Sequence, residues 1–444
     1  MGPITWKGLS RWQQWIFALL ILYSLIHLAY SVAVYNPISS PRISGDFYVS
    51  YLEATHWRET GQMKLLGSTN VPYPLFYHWW LFPLTLLPYP PLSAFLYLTQ
   101  FFLFAWALAL LVRAAAPDSA VRPMAYLAAV LMAVNFQPFL ETLSQHKPEG
   151  LEFFLLCAAI LAFREGKAAK SGTAIFAAAA LKYMPAFLAF YFFIKREMRV
   201  VKAFLLTAAL CTAAFTLSFG IHALRDFGVR QMIYIAFNRK VESNLLVANF
   251  EWQSLSEIVN RLFARADPAH PLGESLLYSQ SILLNYPRAA LALGLALKLL
   301  FLGAFIWFVR RRGCPVPKDS QAPGWTPILL EISLALVMIP IVVQAFRVHY
   351  AILLLPAFVL TGLLLLRRLE QTKMREKILF GAAFTLSGML IPGGLLNRLP
   401  PHPFWGGSYA RLYQWWSFPF YGYLLLGASI LLLHKRLRDE LPQK

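Results

Sequence analysis

The sequence predicts an all-α integral membrane protein with about ten full spans, half-depth or re-entrant helices, and interfacial helices in its outer loops. Hydrophobic residues make up 58% of the 444 positions and charged residues only 14%, which is more apolar surface than a soluble core buries. The apolar residues form runs of about twenty, the length that crosses a hydrocarbon core of ~30 Å as a helix. Basic residues separate these runs, which fixes an orientation in the bilayer.

Each predicted span is an apolar run bounded by polar or basic residues. The runs are 13–35, 90–112, 123–140, 150–163, 200–219, 288–309, 326–344, 348–366, 377–395 and 417–434. No internal repeat divides them, so residues 1–444 are expected to form a single transmembrane domain.

The formal charge of +19 does not gather into a stripe that would bind nucleic acid, and no such partner is expected. Of the 40 Lys and Arg residues, 24 lie in five short loops and the two termini. By the positive-inside rule these parts face the cytoplasm. The prediction is a multi-pass protein of the plasma or inner membrane with both termini cytoplasmic. Its active site would then lie on the periplasmic or extracellular side, in the outer segments 36–89, 220–287 and 396–416.

Three elements are predicted not to cross the membrane fully. The segment 171–194 is expected to form a hairpin of two half-depth helices, opened by Gly172 and broken by Pro185. Residues 46–60 are expected to form a surface helix that Gly61 stops, with Phe47 on its apolar side and Glu53 on its polar side. The proline-rich stretch from Tyr73 to Pro90 is expected to dip into the outer interface.

Asp46 is the sharpest candidate for a catalytic group, since few acids occur in the outer segments. In one interpretation it accepts a proton from an acceptor hydroxyl as that hydroxyl attacks an activated carbon. In the other, an acid in the first turn of a helix only satisfies free backbone N–H groups and the helix dipole. The sequence leaves both open.

Cationic and hydrogen-bonding side chains are the candidates for substrate binding, and each has a structural alternative. Arg347 and His349 lie in a short turn between two spans, where either Arg347 caps a helix end and His349 snorkels, or both face a phosphate. Lys182 lies in an apolar segment, where it either snorkels or faces an anion. Lys147 is in a tight outer turn that surface salt bridges would also explain.

A further segment suits a sugar, because it combines an aromatic ring with amide and hydroxyl side chains. It runs from Asn249 through Gln253 to Arg261, and it could equally be a loop leading into a helix capped by Ser254. No metal site or cofactor is indicated. The three cysteines lie in or beside spans, no second acid adjoins Asp46, and no nucleotide-binding loop occurs.

Several of these motifs follow one another in an order that resembles a known family. They are Gly45-Asp46-Phe47, Pro72-Tyr73-Pro74-Leu75, Asn135-Phe136-Gln137-Pro138, Lys182-Tyr183-Met184-Pro185, the segment Asn249 to Arg261, and Arg347-Val348-His349-Tyr350. The chain resembles the polyprenyl-phosphate-mannose-dependent α-mannosyltransferases of glycosyltransferase family 87, which have the GT-C architecture. Two departures occur: Gln145-His146-Lys147 replaces an expected Gly-Gln pair, and the Asn-Gln-Ser run is interrupted.

The resemblance implies an inverting transfer of a hexose, most simply mannose, from a polyprenyl-phosphate sugar to a lipid or glycan acceptor, as in glycolipid synthesis for the cell envelope. Asp46 would be the general base, and Arg347 and His349 would lie near the donor phosphate. By the same resemblance, the segment Asn249 to Arg261 would line the sugar or acceptor cavity. Tyr73, Lys147 and Lys182 are further candidates for contacts with the donor phosphate or sugar. The alternative is a transporter or flippase of a lipid-linked sugar, consistent with intramembrane Lys182 and Lys298, although no internal pseudo-symmetry is visible.

Overall fold

The computed structural model shows a helical protein, and the residues that it describes are 11–35, 46–61, 74–116, 118, 121–136, 138–139, 142, 149–225, 254–256, 258–259, 287–319, 324–343, 346, 348–368, 374–390 and 418–439. Within these ranges the chain is helical apart from short turns, and no strand occurs. The predicted all-α class is confirmed for this part of the chain.

The helices are numbered here in chain order. They are α1 (Arg11–Tyr35), α2 (Asp46–Thr60), α3 (Leu75–Leu81), the 3-10 helix Phe82–Leu86, α4 (Tyr89–Ala115), α5 (Arg122–Val134), α6 (Glu149–Arg164), α7 (Ala168–Leu181), α8 (Ala186–Ile194), α9 (Met198–Ala223), α10 (Pro287–Arg311), α11 (Trp325–Val342), the 3-10 helix Val348–Leu354, α12 (Leu355–Arg368), α13 (Met374–Leu390) and α14 (Phe418–Asp439).

A helix lies at every segment that the sequence predicts to span the membrane. In the described residues, five of these helices are long and apolar enough to cross a bilayer, namely α4, α9, α10 from Ala292, α11 and α14. Several apolar helices of this kind make the chain a membrane protein. The number of about ten full spans stays a prediction.

One end of the bundle collects basic side chains and is called the basic end. There the Arg164 guanidinium at the end of α6 donates to the carbonyl oxygen of Arg113, at 3.0 Å, and to that of Ala114 in the last turn of α4. Lys195, just after α8, donates to the carbonyl oxygen of Cys314, just after α10, at 2.6 Å. Arginine and lysine near helix C-termini satisfy carbonyl groups that have no partner inside the helix.

The predicted reversal of the chain within 171–194 is confirmed, since α7 and α8 run away from the basic end and back to it. The half-depth placement of these two helices in the membrane stays a prediction. The break at residues 182–185 brings Lys182 beside Glu149, the first residue of α6, at the end of that helix away from the basic end. The return is shown by Phe163 near the end of α6, whose ring centroid lies 4.5 Å from that of Phe192 near the end of α8. Pro185 is the N-cap of α8, as expected for a helix break.

The role predicted for Gly172 is wrong, because α7 already begins at Ala168 and Gly172 lies inside it. A Cβ atom at Gly172 would come within 2.2 Å of the Val200 carbonyl oxygen and 2.8 Å of the Ala203 Cβ. The glycine therefore permits close packing of α7 on α9 rather than opening the hairpin.

The surface helix α2 is confirmed in its bounds, and Gly61 ends it with a φ of 68° and an N–H bond to the Trp57 carbonyl oxygen. The prediction that Glu53 lies on the polar side is wrong. Glu53 is fully buried, and its Oε2 lies 3.0 Å from the Nε2 of His78 in α3. This pair joins α2 to α3. The stretch formed by α3 and the 3-10 helix Phe82–Leu86 is interrupted by prolines, as the sequence predicts.

Candidate functional site

A buried ion pair lies at the break of the hairpin. The Lys182 ammonium donates to Glu149 Oε1 at 2.8 Å, and the two side chains are only 4% and 2% exposed. The same ammonium lies 3.7 Å from the ring centroid of Tyr350, which is also buried. Lys182 therefore does not snorkel to an interface: it is held inside the protein and joins α6, the hairpin and the 3-10 helix Val348–Leu354.

Two more buried polar side chains lie at the same turn of α6 as Glu149. Glu152 follows Glu149 at the next turn of α6 and interacts electrostatically with both Glu149 and Lys182. Gln100 of α4 packs against the first turn of α6, because a Cβ atom at Gly150 would lie 3.0 Å from the Gln100 Cγ. Gln100, Glu149, Glu152, Lys182 and Tyr350 are together called the polar cluster.

The polar cluster lies well inside the helical bundle. Gln100 is fifteen residues from Ala115, the last residue of α4, which is about 22 Å at the helical rise per residue. Ala115 is at the basic end, beside the carbonyl oxygens that Arg164 holds. In a hydrocarbon core of ~30 Å the cluster would therefore lie more than halfway across from the basic end. Ionisable groups at such depths are costly and mark functional sites in membrane proteins.

The start of α2 lies next to the same region. Phe47 of α2 and Leu181, the neighbour of Lys182, belong to one hydrophobic cluster, against which Leu155 of α6 packs. Asp46 is the first residue of α2, and its side chain lies outside the described part of the chain. Asp46 and Lys182 are thus each adjacent in the chain to a residue of one packed cluster, Phe47 and Leu181 respectively.

The other residues predicted for the site fall largely on parts of the chain that are not described. His349 lies in the 3-10 helix Val348–Leu354 next to Tyr350, but its side chain is outside the described part. The predictions that lie outside the described residues entirely are Tyr73, Lys147, Asn249, Gln253, Arg261 and Arg347. Of the Asn249 to Arg261 segment, Ser254 and Leu255 are described and buried, and Leu255 packs in the main core.

A second buried carboxylate lies at the basic end. Glu331 of α11 accepts bonds from Lys195 Nζ at 2.5 Å and Tyr191 Oη at 3.2 Å through Oε2, and from the Cys314 amide at 2.6 Å through Oε1. The ring Nε2 of His434 in α14 lies 3.3 Å from Oε1. These contacts join α8, the segment after α10, α11 and α14, and they are called the Glu331 network.

The Glu331 network contains side chains that ligate metals elsewhere. One ligand atom each from Cys314, Glu331 and His434 lies within 4.8 Å of the others. However, Lys195 already supplies a positive charge to Glu331, and both carboxylate oxygens already have hydrogen-bond partners within the protein. Burial also raises the pKa of the Cys314 thiol to about 11, so it is not a thiolate at neutral pH. These contacts describe a structural ion pair, and the predicted lack of a metal stays a prediction.

Sequence reasoning missed Gln100, Glu149 as a buried residue, Glu152 and Glu331. A usable signal was present for the glutamates. Glu149 and Glu152 enter an apolar run three residues apart, and Glu331 lies inside one, which is costly unless a partner is buried with each acid. Gln100 carries no charge, and no pattern in the sequence distinguishes it.

The architecture defines a polytopic helical membrane protein with an ionised cluster buried among its helices. A model of glycosyltransferase family 87 matches residues 71–320, more than half of the chain, and the protein belongs to that family. It is therefore a membrane glycosyltransferase with a donor and an acceptor substrate. No match was found among curated proteins or among solved structures. The matched residues include Glu149 and Lys182 but neither Asp46 nor His349. The family match therefore carries no information on whether Asp46 is the general base.

Proposed function

We propose that the protein transfers a hexose, most simply mannose, from a polyprenyl-phosphate sugar to a hydroxyl group of a lipid or glycan acceptor. The observation that carries this proposal is the buried Lys182, which Glu149 holds against Tyr350, next to His349. A fixed cation at membrane depth suits a phosphate whose prenyl chain stays in the bilayer. A soluble nucleotide-sugar donor would have no need of one there.

The ion pair with Glu149 is compatible with phosphate binding. The Glu149 carboxylate provides the Lys182 ammonium with a counter-charge in an apolar surrounding, where an unpaired cation would be costly. In the proposed reaction Lys182, Arg347 and His349 stabilise the negative charge that grows on the phosphate as it leaves. Tyr73, Lys147, Asn249, Gln253 and Arg261 complete the proposed contacts with donor and sugar.

The proposed reaction is a single displacement at the anomeric carbon. The acceptor oxygen forms a bond to that carbon while the bond to the phosphate oxygen breaks, so the configuration inverts. The hydroxyl proton passes to the Asp46 carboxylate, and polyprenyl phosphate leaves. The start of α2 lies beside the cluster that contains Leu181, which supports a base on this side of the donor. No metal or cofactor is part of the proposed reaction.

The proposed location is the plasma or inner membrane, with both termini in the cytoplasm. Support comes from the basic end of the bundle, which the positive-inside rule assigns to the cytoplasm. The polar cluster and the start of α2 lie away from that end. The GT-C architecture and transfer on the periplasmic or extracellular side follow as parts of the same proposal.

The test is transfer by purified protein in liposomes, with polyprenyl-phosphate mannose and a glycolipid acceptor presented on the same side. We expect a new glycoside of inverted anomeric configuration, detected by mass spectrometry and NMR. A flippase would relocate the donor lipid and form no product, which would overturn the proposal.

The base is tested with Asp46→Asn, which should lower kcat at least about a hundredfold, since a positioned base contributes that much. The matched control is Glu59→Gln, on an exposed position of the same helix, which should transfer at the wild-type rate. Full activity of purified Asp46→Asn would exclude this residue as the base.

A further inference from the structure

Four buried polar atoms of the polar cluster have no hydrogen-bond partner among the described residues. They are Gln100 Oε1, Gln100 Nε2, Glu149 Oε2 and Glu152 Oε1. Gln100 is 3% exposed, Glu149 is 2% exposed and Glu152 is 1% exposed. Folded proteins pair nearly all such groups, because an unpaired buried polar atom costs free energy. Four together indicate that something else supplies the partners.

The four atoms belong to three residues at the first turn of α6: Glu149 and Glu152 are part of that turn, and Gln100 of α4 packs against it. A Cβ atom at Gly150 would lie 3.0 Å from the Gln100 Cγ and 3.3 Å from the Phe104 ring, so the Gln100 side chain crosses α6 at this residue. Gly150 lies between the two glutamates in the chain. Lys182 contacts Glu149 on one side, and the Tyr350 ring covers the ammonium.

The chemistry of the four atoms selects a ligand. Gln100 Oε1 and Glu149 Oε2 accept hydrogen bonds, Gln100 Nε2 donates, and the Glu152 carboxyl oxygen accepts or, when protonated, donates, so the ligand must both donate and accept hydrogen bonds. An anionic group is disfavoured by the two carboxyl groups. Neighbouring hydroxyl groups of a sugar both donate and accept, and carboxylate and amide side chains are matched to them.

We propose that Gln100, Glu149 and Glu152 bind hydroxyl groups of the transferred hexose. This inference rests on the proposed function, and it adds a sugar-binding site at the first turn of α6, where α4 packs against it. Glu149 would then lie between the two parts of the donor. Its Oε2 would accept from the sugar hydroxyl groups, while its Oε1 holds the Lys182 ammonium that contacts the phosphate.

The test uses Gln100→Met, which keeps the shape of the side chain and removes both polar atoms. We expect the KM for the lipid-linked donor to rise about five- to tenfold, the usual loss for one or two hydrogen bonds. The Tm without donor should stay the same or rise, because two unpaired buried atoms are removed. Glu152→Gln is the second variant, and it should also raise the KM.

The matched control is Thr361→Val in α12, which removes a buried hydroxyl that also has no partner among the described residues. It should raise Tm in the same way and leave the donor KM unchanged. If Gln100→Met and Glu152→Gln both behave like Thr361→Val, the four atoms bind no sugar and the proposal is overturned.

A binding measurement separates this site from the proposed function. Octyl mannoside should raise the Tm of the wild-type protein and raise it less for Gln100→Met. No rise for the wild type overturns the sugar site, whether or not transfer is observed. A rise for the wild type without any transfer would keep the site and reject the transferase mechanism.

Discussion

Two buried lysines lie at the two ends of the second half of the hairpin, and their surroundings differ. Lys195, just after α8, contacts Glu331, whose two oxygens receive a lysine, a tyrosine hydroxyl, a backbone amide and a histidine ring. Lys182, just before α8, contacts Glu149, whose second oxygen has no hydrogen-bond partner among the described residues. Both oxygens of Glu331 are therefore hydrogen-bonded within the protein, whereas among the described residues only one oxygen of Glu149 is.

This contrast separates stability from function in two ion pairs of the same type. A buried carboxylate with every lone pair occupied fixes the elements around it and has no capacity left for a ligand. A buried carboxylate with one unpaired oxygen destabilises the folded protein unless a substrate donates a hydrogen bond to that oxygen. The Glu331 network is therefore expected to hold the basic end together, and the polar cluster to act on substrate.

The largest expected effect on stability is at the Glu331 network. Glu331→Ala removes the partner of a buried lysine and leaves several donors unpaired, so we expect a loss of about 3–5 kcal/mol in the free energy of unfolding. Thermal unfolding in detergent measures it.

The control for Glu331 is Glu165→Gln at the same end of the bundle, in the partly exposed pair with Lys167. Such surface pairs contribute ~1 kcal/mol or less. Equal losses for the two variants would show that the Glu331 network is not a structural centre.

The next effect is on activity, at the Lys182–Glu149 pair. Lys182→Met should lower kcat/KM for the donor at least about tenfold and should also destabilise the protein, since it leaves Glu149 without its cation. In the double variant Lys182→Met, Glu149→Gln the buried charges are gone, so Tm should recover while transfer stays low. Recovery of transfer together with Tm would mean that the pair is structural, like the pair of Lys195.

A smaller effect is expected at the hairpin itself. Gly172→Ala places a methyl group against the Val200 carbonyl oxygen, and such overpacking should cost about 1–3 kcal/mol. Gly303→Ala in α10 is the matched control, since nothing lies within 4 Å of its added Cβ, and a helical Gly→Ala change there should stabilise by up to ~1 kcal/mol. Thermal unfolding of both variants checks the sign. Stabilisation by Gly172→Ala would show that α7 and α9 do not pack closely there.

Local features of the fold were predictable from the sequence. Apolar run lengths predict the helices, Gly61 predicts the end of α2, and the basic residues on both sides of 171–194 predict the hairpin, because each effect acts over a few residues. Long-range pairing was not predictable. The polarity of Glu53 predicts an exposed side, yet His78, 25 residues later in the chain, makes its burial possible.

The candidate site divides in the same way. Lys182 was predictable as a functional residue, because a lysine in an apolar run is unusual wherever it occurs. Its partner Glu149 is 33 residues away and appears in the sequence as one acid of a charged turn. Only packing of α6 against the hairpin makes them neighbours. Packing of α4 against α6 brings Gln100, which has no sequence signal at all, to the same turn of α6.

The close approach at Gly172 has a consequence for the packing of the outer helices. Near the basic end α7 and α9 touch through this glycine, and the hydroxyl groups of Thr173 and Thr207 lie 3.1 Å apart across the same interface. Further along, the Phe76 ring of α3 contacts both Phe176 of α7 and Phe215 of α9. Trp57 of α2 also contacts Phe215. A continuous set of packed side chains therefore connects the basic end to the helix that begins with Asp46.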